Sequence, residues 1–159
     1  MTRTQPVEHT VFTIERKLAT TPRHAFRFWS EAELKDRWNS CHPDWAVLED
    51  TFDFRVGGTD RKHWRTSDGQ DQTFAAYYLD IVPAQRIIYA YEMSFAGARL
   101  SASLVTILLT PSGDKTLMRY TEQVAILDGG VDARQQRLLG TEQGIDRLVG
   151  IIEADNSAP

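Results

Sequence analysis

The sequence predicts an α+β domain in which a curved, seven-stranded antiparallel sheet grips one long C-terminal helix. Three observations carry that prediction. A stretch with strand periodicity opens the chain before any helix, and six further β segments follow one another through short turn-forming breaks. The last long segment then shows a broad aliphatic face at helical spacing, although glycines interrupt it. A helix of that kind is stable only when docked, and the sheet is the one surface large enough to take it.

Residues 10–19 alternate Phe12, Ile14, Arg16 and Leu18 against Val11, Thr13, Glu15 and Lys17, the two-residue period of a strand. Thr20-Thr21-Pro22 ends it, with Thr21 as an N-cap and Pro22 in the first helical turn. Ala25, Phe26 and Trp29 then share a helical face. Ser30 and Glu33 have the capping-box spacing, which predicts a second short helix with Leu34 and Trp38 as its i, i+4 apolar pair.

Candidate strands follow at 45–50, 52–65, 73–82, 86–95, 99–110 and 116–126. Asp68-Gly69, Pro83, Ala96-Gly97 and Pro111-Ser112-Gly113-Asp114 supply the turn chemistry between them. Connections this short imply an antiparallel meander. The closing helix is predicted over 134–153, with Asp132 and Gln135 at a capping-like spacing. Leu138, Ile145, Leu148, Val149 and Ile152 form its apolar face. Gly140, Gly144 and Gly150 each cost the helix about 0.8–1 kcal/mol against alanine. Aliphatic side chains contribute about 1.5–3 kcal/mol each when fully buried, which outweighs that cost only if the face is covered. The leading strand favours this grip over a cone-shaped α+β fold, which begins with its helices.

Length and composition set the remaining bounds. A chain of 159 residues fits one domain, here 1–159 with flexible tails expected at 1–9 and 154–159. At that size about 68–70% of the unfolded surface can be buried, so neither a disulfide nor a metal is required. Hydrophobic residues at 42% and charged residues at 25% are ordinary for a globular chain. The formal charge of −4 argues against a nucleic-acid partner. Cys41 is the single cysteine, so there is no disulfide framework. Residues 1–6 are polar, unlike a signal peptide, and no apolar run approaches the ~18 residues that span a bilayer. The expected location is the cytoplasm, with no membrane partner.

Four stretches carry a resemblance. IERKLATTPRHAFRFWSEAELKDRW at 14–38 resembles the opening of START-like (SRPBCC, Bet v 1-like) domains. DFRVGG at 53–58, YYLDIVPAQRIIYAYE at 77–92 and SLVTILLTPSGDKTLMRYTEQ at 103–123 are similar to parts of one subfamily. That subfamily is related to the C-terminal domain of the activator of heat-shock protein 90 ATPase. The resemblance spans 11–152 and implies a helix-grip fold with a cavity between sheet and helix. It also raises a chaperone ATPase as a possible partner. Two departures stand out. The subfamily commonly has Gly-Trp where this chain has Gly140-Thr141, and the co-chaperone's separate N-terminal domain, with its Asn/Trp/His-rich signature, has no counterpart in these residues.

Strand alternation puts Met118, Tyr120, Glu122 and Val124 on one face, with Ile87, Tyr89, Tyr91 and Met93 sharing a face two strands away. Trp38, Trp45, Phe54 and Tyr78 add to the same expected lining. The functional reading is a pocket of the ~300–1,000 Å³ class that takes a small hydrophobic molecule; the structural reading is a filled aromatic core. Arg16 falls in phase with the inward residues of its strand, and a buried charge there needs a partner. Glu122 is the expected one, because first and last strands are neighbours in the implied fold. Such a pair is either a structural ion pair or an anchor for a ligand carboxylate or carbonyl. Asp53 and Arg55 read as hairpin supports around Gly57-Gly58.

His9, His24, His42 and His63 show no ligand spacing and one cysteine builds no thiolate site, so neither metal nor cofactor is expected. No phosphate loop, G-x-S-x-G or Cys–His motif is present. Three functions therefore stand side by side: a ligand-binding module, a co-chaperone-like regulator, and a polyketide-cyclase-like or hydrolase-like cavity enzyme drawing on Glu122, Glu92, Asp80 or His63. Whether His63 or Trp64 points inward depends on a possible bulge at Gly57-Gly58.

Overall fold

The first strand, β1 (Glu8–Leu18), pairs along its whole length with the last, β7 (Lys115–Ile126), and that pairing defines one side of the sheet. The computed structural model of the chain describes residues 6–128 and 130–157. Between the two strands run α1 (Pro22–Ser30), α2 (Ala32–Trp38), β2 (Ala46–Phe52), β3 (Thr59–Arg65), β4 (Asp71–Val82), β5 (Arg86–Phe95) and β6 (Ala98–Ser112). The long helix α3 (Gly130–Ser157) comes last. The curved sheet has the order β1-β7-β6-β5-β4-β3-β2 with every pair antiparallel. The helix-grip architecture read from the sequence is the one observed.

Local chemistry explains most boundaries. The Thr21 hydroxyl accepts from the His24 backbone N–H at 3.3 Å, and Pro22 occupies the first turn of α1. Ala96 and Gly97 both have positive φ, 53° and 82°, the twist that a two-residue hairpin needs between β5 and β6. Among the described residues no helix is long and apolar enough to cross a membrane.

Several expected details differ. Ser30 ends α1 and does not cap α2; Glu31 holds the cap position without a side-chain cap bond, its carboxylate being taken by Arg27 one turn back, at 2.5 Å. The buried face of α1 is Ala25, Phe28 and Trp29, while Phe26 is half-buried against Phe54. The strand expected over 52–65 is broken at 53–58 by a loop. The final helix starts four residues early, so Asp132 sits inside its first turn, where its charge complements the helix dipole. Residues 8–9 and 154–157 of the expected tails belong to β1 and α3, while 1–5 and 158–159 lie outside the described residues.

The core is uneven. The helix α3 packs on β1, β7 and α2. There Ile145, Leu148 and Ile152 meet Ile14, Leu18, Ile107 and Met118, all buried. The inner faces of β3, β4 and β5 are not filled in the same way.

Candidate functional site

A cavity of about 350 Å³ lies between α3 and the inner faces of β3, β4 and β5, with α2 along one side. Its existence follows from the residues of α3. The aliphatic stripe Ile145–Leu148–Ile152 gives way, one turn at a time towards the N-terminus, to Gly144, Thr141, Gly140 and Arg137. A side-chain carbon added at Gly140 would meet nothing within 4 Å. Thr141, where the resembled subfamily commonly has tryptophan, lines this same space. Across the gap, β4 contributes the small Ala76 between Phe74 and Tyr78.

Trp38, Phe54, Tyr78 and Tyr89 stand on the cavity wall, as do Tyr91, Met93 and Tyr120. The Trp38 ring is fixed by its indole N–H, which donates to the Phe28 carbonyl at 2.9 Å, and by edge contact with Trp29 at 4.6 Å. Phe54 reaches the wall because loop 53–58 docks on β4 in place of a strand. The Gly57 N–H donates to the Tyr78 carbonyl at 2.8 Å, and the Tyr78 N–H to the Gly58 carbonyl at 3.0 Å. Gly57 has φ of 84°, and a side-chain carbon at Gly58 would collide with the Asp53 carbonyl and Arg55. Arg55 Nε donates to Asp53 at 2.8 Å and ties the loop. Phe54 then meets Tyr78 edge-on at 4.9 Å.

Four expected lining residues lie elsewhere. Trp45 precedes β2, an exposed edge strand, and is half-buried near Trp64, 6.4 Å away. Met118 is fully buried in the filled half, beside Arg16 in register. Arg16 has the expected phase, but it is part-exposed and its Nε donates to Asp146 of α3 at 2.9 Å. Glu122 is four residues further along β7, opposite Phe12, so the Arg16–Glu122 pair does not form. Trp64, and not His63, faces the cavity; His63 Nε2 lies 3.1 Å from Asp71.

Glu122 instead ends a buried network that sequence reasoning missed. Its Oε2 accepts from Tyr91 at 2.6 Å, Ser103 at 2.7 Å and Arg137 at 3.2 Å, and its Oε1 from Tyr120 at 2.7 Å. Arg137 also donates to the Tyr91 oxygen at 2.9 Å and to Ser101 at 2.7 Å. Burial opposes the Arg137 charge, but Tyr91 and Glu122 more than offset it and raise its pKa. Burial, reinforced by the Glu122 charge, pushes the phenols of Tyr89, Tyr91 and Tyr120 above their usual range. Both oxygens of Glu122 are thus engaged, and Glu122 stands behind the wall. Glu92, Asp80 and His63 are not on the wall either.

The opposite side carries a second polar cluster, also absent from the sequence-based candidates. Fully buried Asp60 pairs with Lys35 of α2, whose ammonium also lies 3.4 Å from the Tyr78 hydroxyl and 4.7 Å from the Phe52 ring centroid. Lys62 donates to Asp50 at 2.9 Å and stands 3.8 Å from Asp60. Burial pushes the Lys35 pKa down against the pull of Asp60. Burial and the Asp60 charge push the Tyr78 phenol up. The readable signal was the period-two set Asp60, Lys62 and Trp64, which shares one strand face.

Comparison with known proteins fits this geometry. No curated protein matches the chain. An uncharacterised protein from Rhizobium leguminosarum is 44% identical, over 94% of this chain and 97% of that one, with a TM-score of 0.85. A protein from Rhizobium loti is 38% identical over 92% and 99% of the two chains, with a TM-score of 0.84. One from Chromobacterium violaceum, 25% identical over 91% and 98%, superposes with a TM-score of 0.67. The family model for activator of Hsp90 ATPase homolog 1-like protein matches residues 19–154. The two short helices, strands β2 to β7 and all but the last turn of α3 fall within that match, and the chain belongs to the activator of Hsp90 ATPase homolog 1-like family.

Proposed function

We propose that the chain binds a small amphipathic molecule in the cavity between α3 and the sheet, and that it does so in the cytoplasm, where the free Cys41 stays reduced. The observation that carries this reading is Gly140. A glycine inside a helix costs about 0.8–1 kcal/mol against alanine, yet here a side chain would fit without any clash. Gly140 is exposed yet lines the cavity, so it stands at the mouth, where a longer side chain would obstruct the space. A volume of about 350 Å³ lies within the range of small-ligand sites. Native mass spectrometry after gentle purification is expected to find a bound small molecule. Gly140→Leu, folded by circular dichroism, is expected to have lost it. Equal occupancy of the variant, or an empty protein that no lipophilic compound stabilises against heat, would overturn the reading.

A second reading rests on the outer face of the sheet, where Tyr77, Leu79, Leu108 and Leu117 are exposed. The family description, which refers to an activator of Hsp90 ATPase, is what suggests a chaperone ATPase as a partner for such a face. Adding the purified chain to such a chaperone should then raise its ATP hydrolysis. An unchanged rate would remove this reading.

A further inference from the structure

The cavity has the opposite charge balance to the chain that encloses it. The sequence carries 22 acidic against 18 basic residues, yet the wall presents Lys35, Lys62, Arg137 and Arg147 against Asp60 alone. From this we infer that the bound molecule is an anionic amphiphile, its charged group held by Lys62 and Arg147 and its apolar body by the aromatic wall. The inference rests on the binding reading above and specifies its ligand class.

The four cations are not equivalent. Arg137 is committed to Glu122, Tyr91 and Ser101, and Lys35 to Asp60 and Tyr78. Lys62 makes one hydrogen bond, to Asp50, which is not on the wall, and a looser ion pair with Asp60 at 3.8 Å. Arg147, an exposed residue at the rim, donates from Nε to the Trp38 carbonyl at 3.3 Å and has no ion pair among the described residues. These two side chains therefore keep N–H donors that an incoming oxyanion can use. The surrounding wall is aromatic, with Phe74, Tyr89 and Met93 among its members. Charge-assisted hydrogen bonds are stronger in such surroundings than in water. A cationic ligand would be repelled by Lys62 and Arg147, the two cations not committed within the wall, and a neutral one would leave their spare donors unused.

The test uses two fluorescent probes that share an arylaminonaphthalene body: 8-anilinonaphthalene-1-sulfonate, which is anionic, and N-phenyl-1-naphthylamine, which is neutral. The sulfonate is expected to bind about tenfold more tightly, the weight of one charge-assisted hydrogen bond. Arg147→Met and Lys62→Met should each remove most of that preference and leave the neutral probe unchanged. Because Arg147 is exposed, its variant keeps the fold even if Lys62→Met does not. Gly140→Leu should weaken both probes. Equal affinities, or variants that weaken both probes alike, would overturn the anion preference while the cavity reading stands. Binding of neither probe, or binding indifferent to Gly140→Leu, would overturn the cavity reading itself.

Discussion

The two halves of the grip solve the burial problem in opposite ways. Under α3, the strands β1 and β7 bring Ile14, Leu18 and Met118 against Ile145, Leu148 and Ile152, all of them buried. Over β3, β4 and β5 the same helix offers glycine and threonine, and the sheet answers with aromatic rings and ammonium groups around a void. One helix thus serves as a core element at its C-terminal end and as a cavity wall at its N-terminal end. The difference lies in side-chain volume at successive turns, because the backbone is continuous helix throughout.

The sharpest way to break this contrast is alkali. The phenols of Tyr78, Tyr89, Tyr91 and Tyr120 are all raised, chiefly by burial, and all four line the cavity. In the unfolded chain they lose protons near pH 10. The folded chain keeps those protons to higher pH, so their contribution to stability is whole below about pH 10 and drains away as pH rises towards the folded values. Phenolate absorbance and circular dichroism are expected to change together in one step. Gradual ionisation of these tyrosines with the fold intact would show a wetter wall than described.

Next in size come the two buried acids. Glu122→Ala leaves Arg137 buried without its partner and is expected to cost about 3–5 kcal/mol in urea titration. Asp60→Ala should cost clearly less. Lys35, already pushed towards the neutral form by burial, can shed its proton, whereas a guanidinium cannot. Equal losses would mean that the Lys35 ammonium stays charged without Asp60.

Truncations compare the packing directly. Leu148→Ala in the filled half should cost about 2–5 kcal/mol. Half-buried Met93, which already faces space, should cost about 1 kcal/mol as Met93→Ala. Similar costs at the two sites would mean that the cavity closes in solution. The smallest expected change is a gain: Gly140→Ala should raise stability by about 0.8–1 kcal/mol in thermal melts.

Most of the fold was legible because it is written in periodicity. The alternation of β1 and the turns after β4, β5 and β6 mark their elements without help from distant residues. The site was legible in its apolar part, since Tyr89, Tyr91, Met93 and Tyr120 follow from strand phase alone. Its charges were not. Asp60 and Lys62 lie beyond loop 53–58, which breaks the phase, and Lys35 belongs to a helix whose sequence neighbours are far from β3. Arg137 stands one position from the aliphatic Leu138, and nothing local says which of the two faces the sheet. The Arg16–Glu122 expectation had the right pair of strands and missed by four residues of register, an offset that only the hydrogen-bonded ladder fixes.

The pairing of β1 with β7 also sets an order on synthesis. Glu8 bonds across from Ile126, so the earliest strand to leave the ribosome waits for the latest before it has a neighbour. Contacts this distant in sequence make folding slow, because a long loop must close before they form. During that wait β1 is an open edge with an apolar face, and a nascent chain halted before residue 115 is the form of this protein most prone to join another copy.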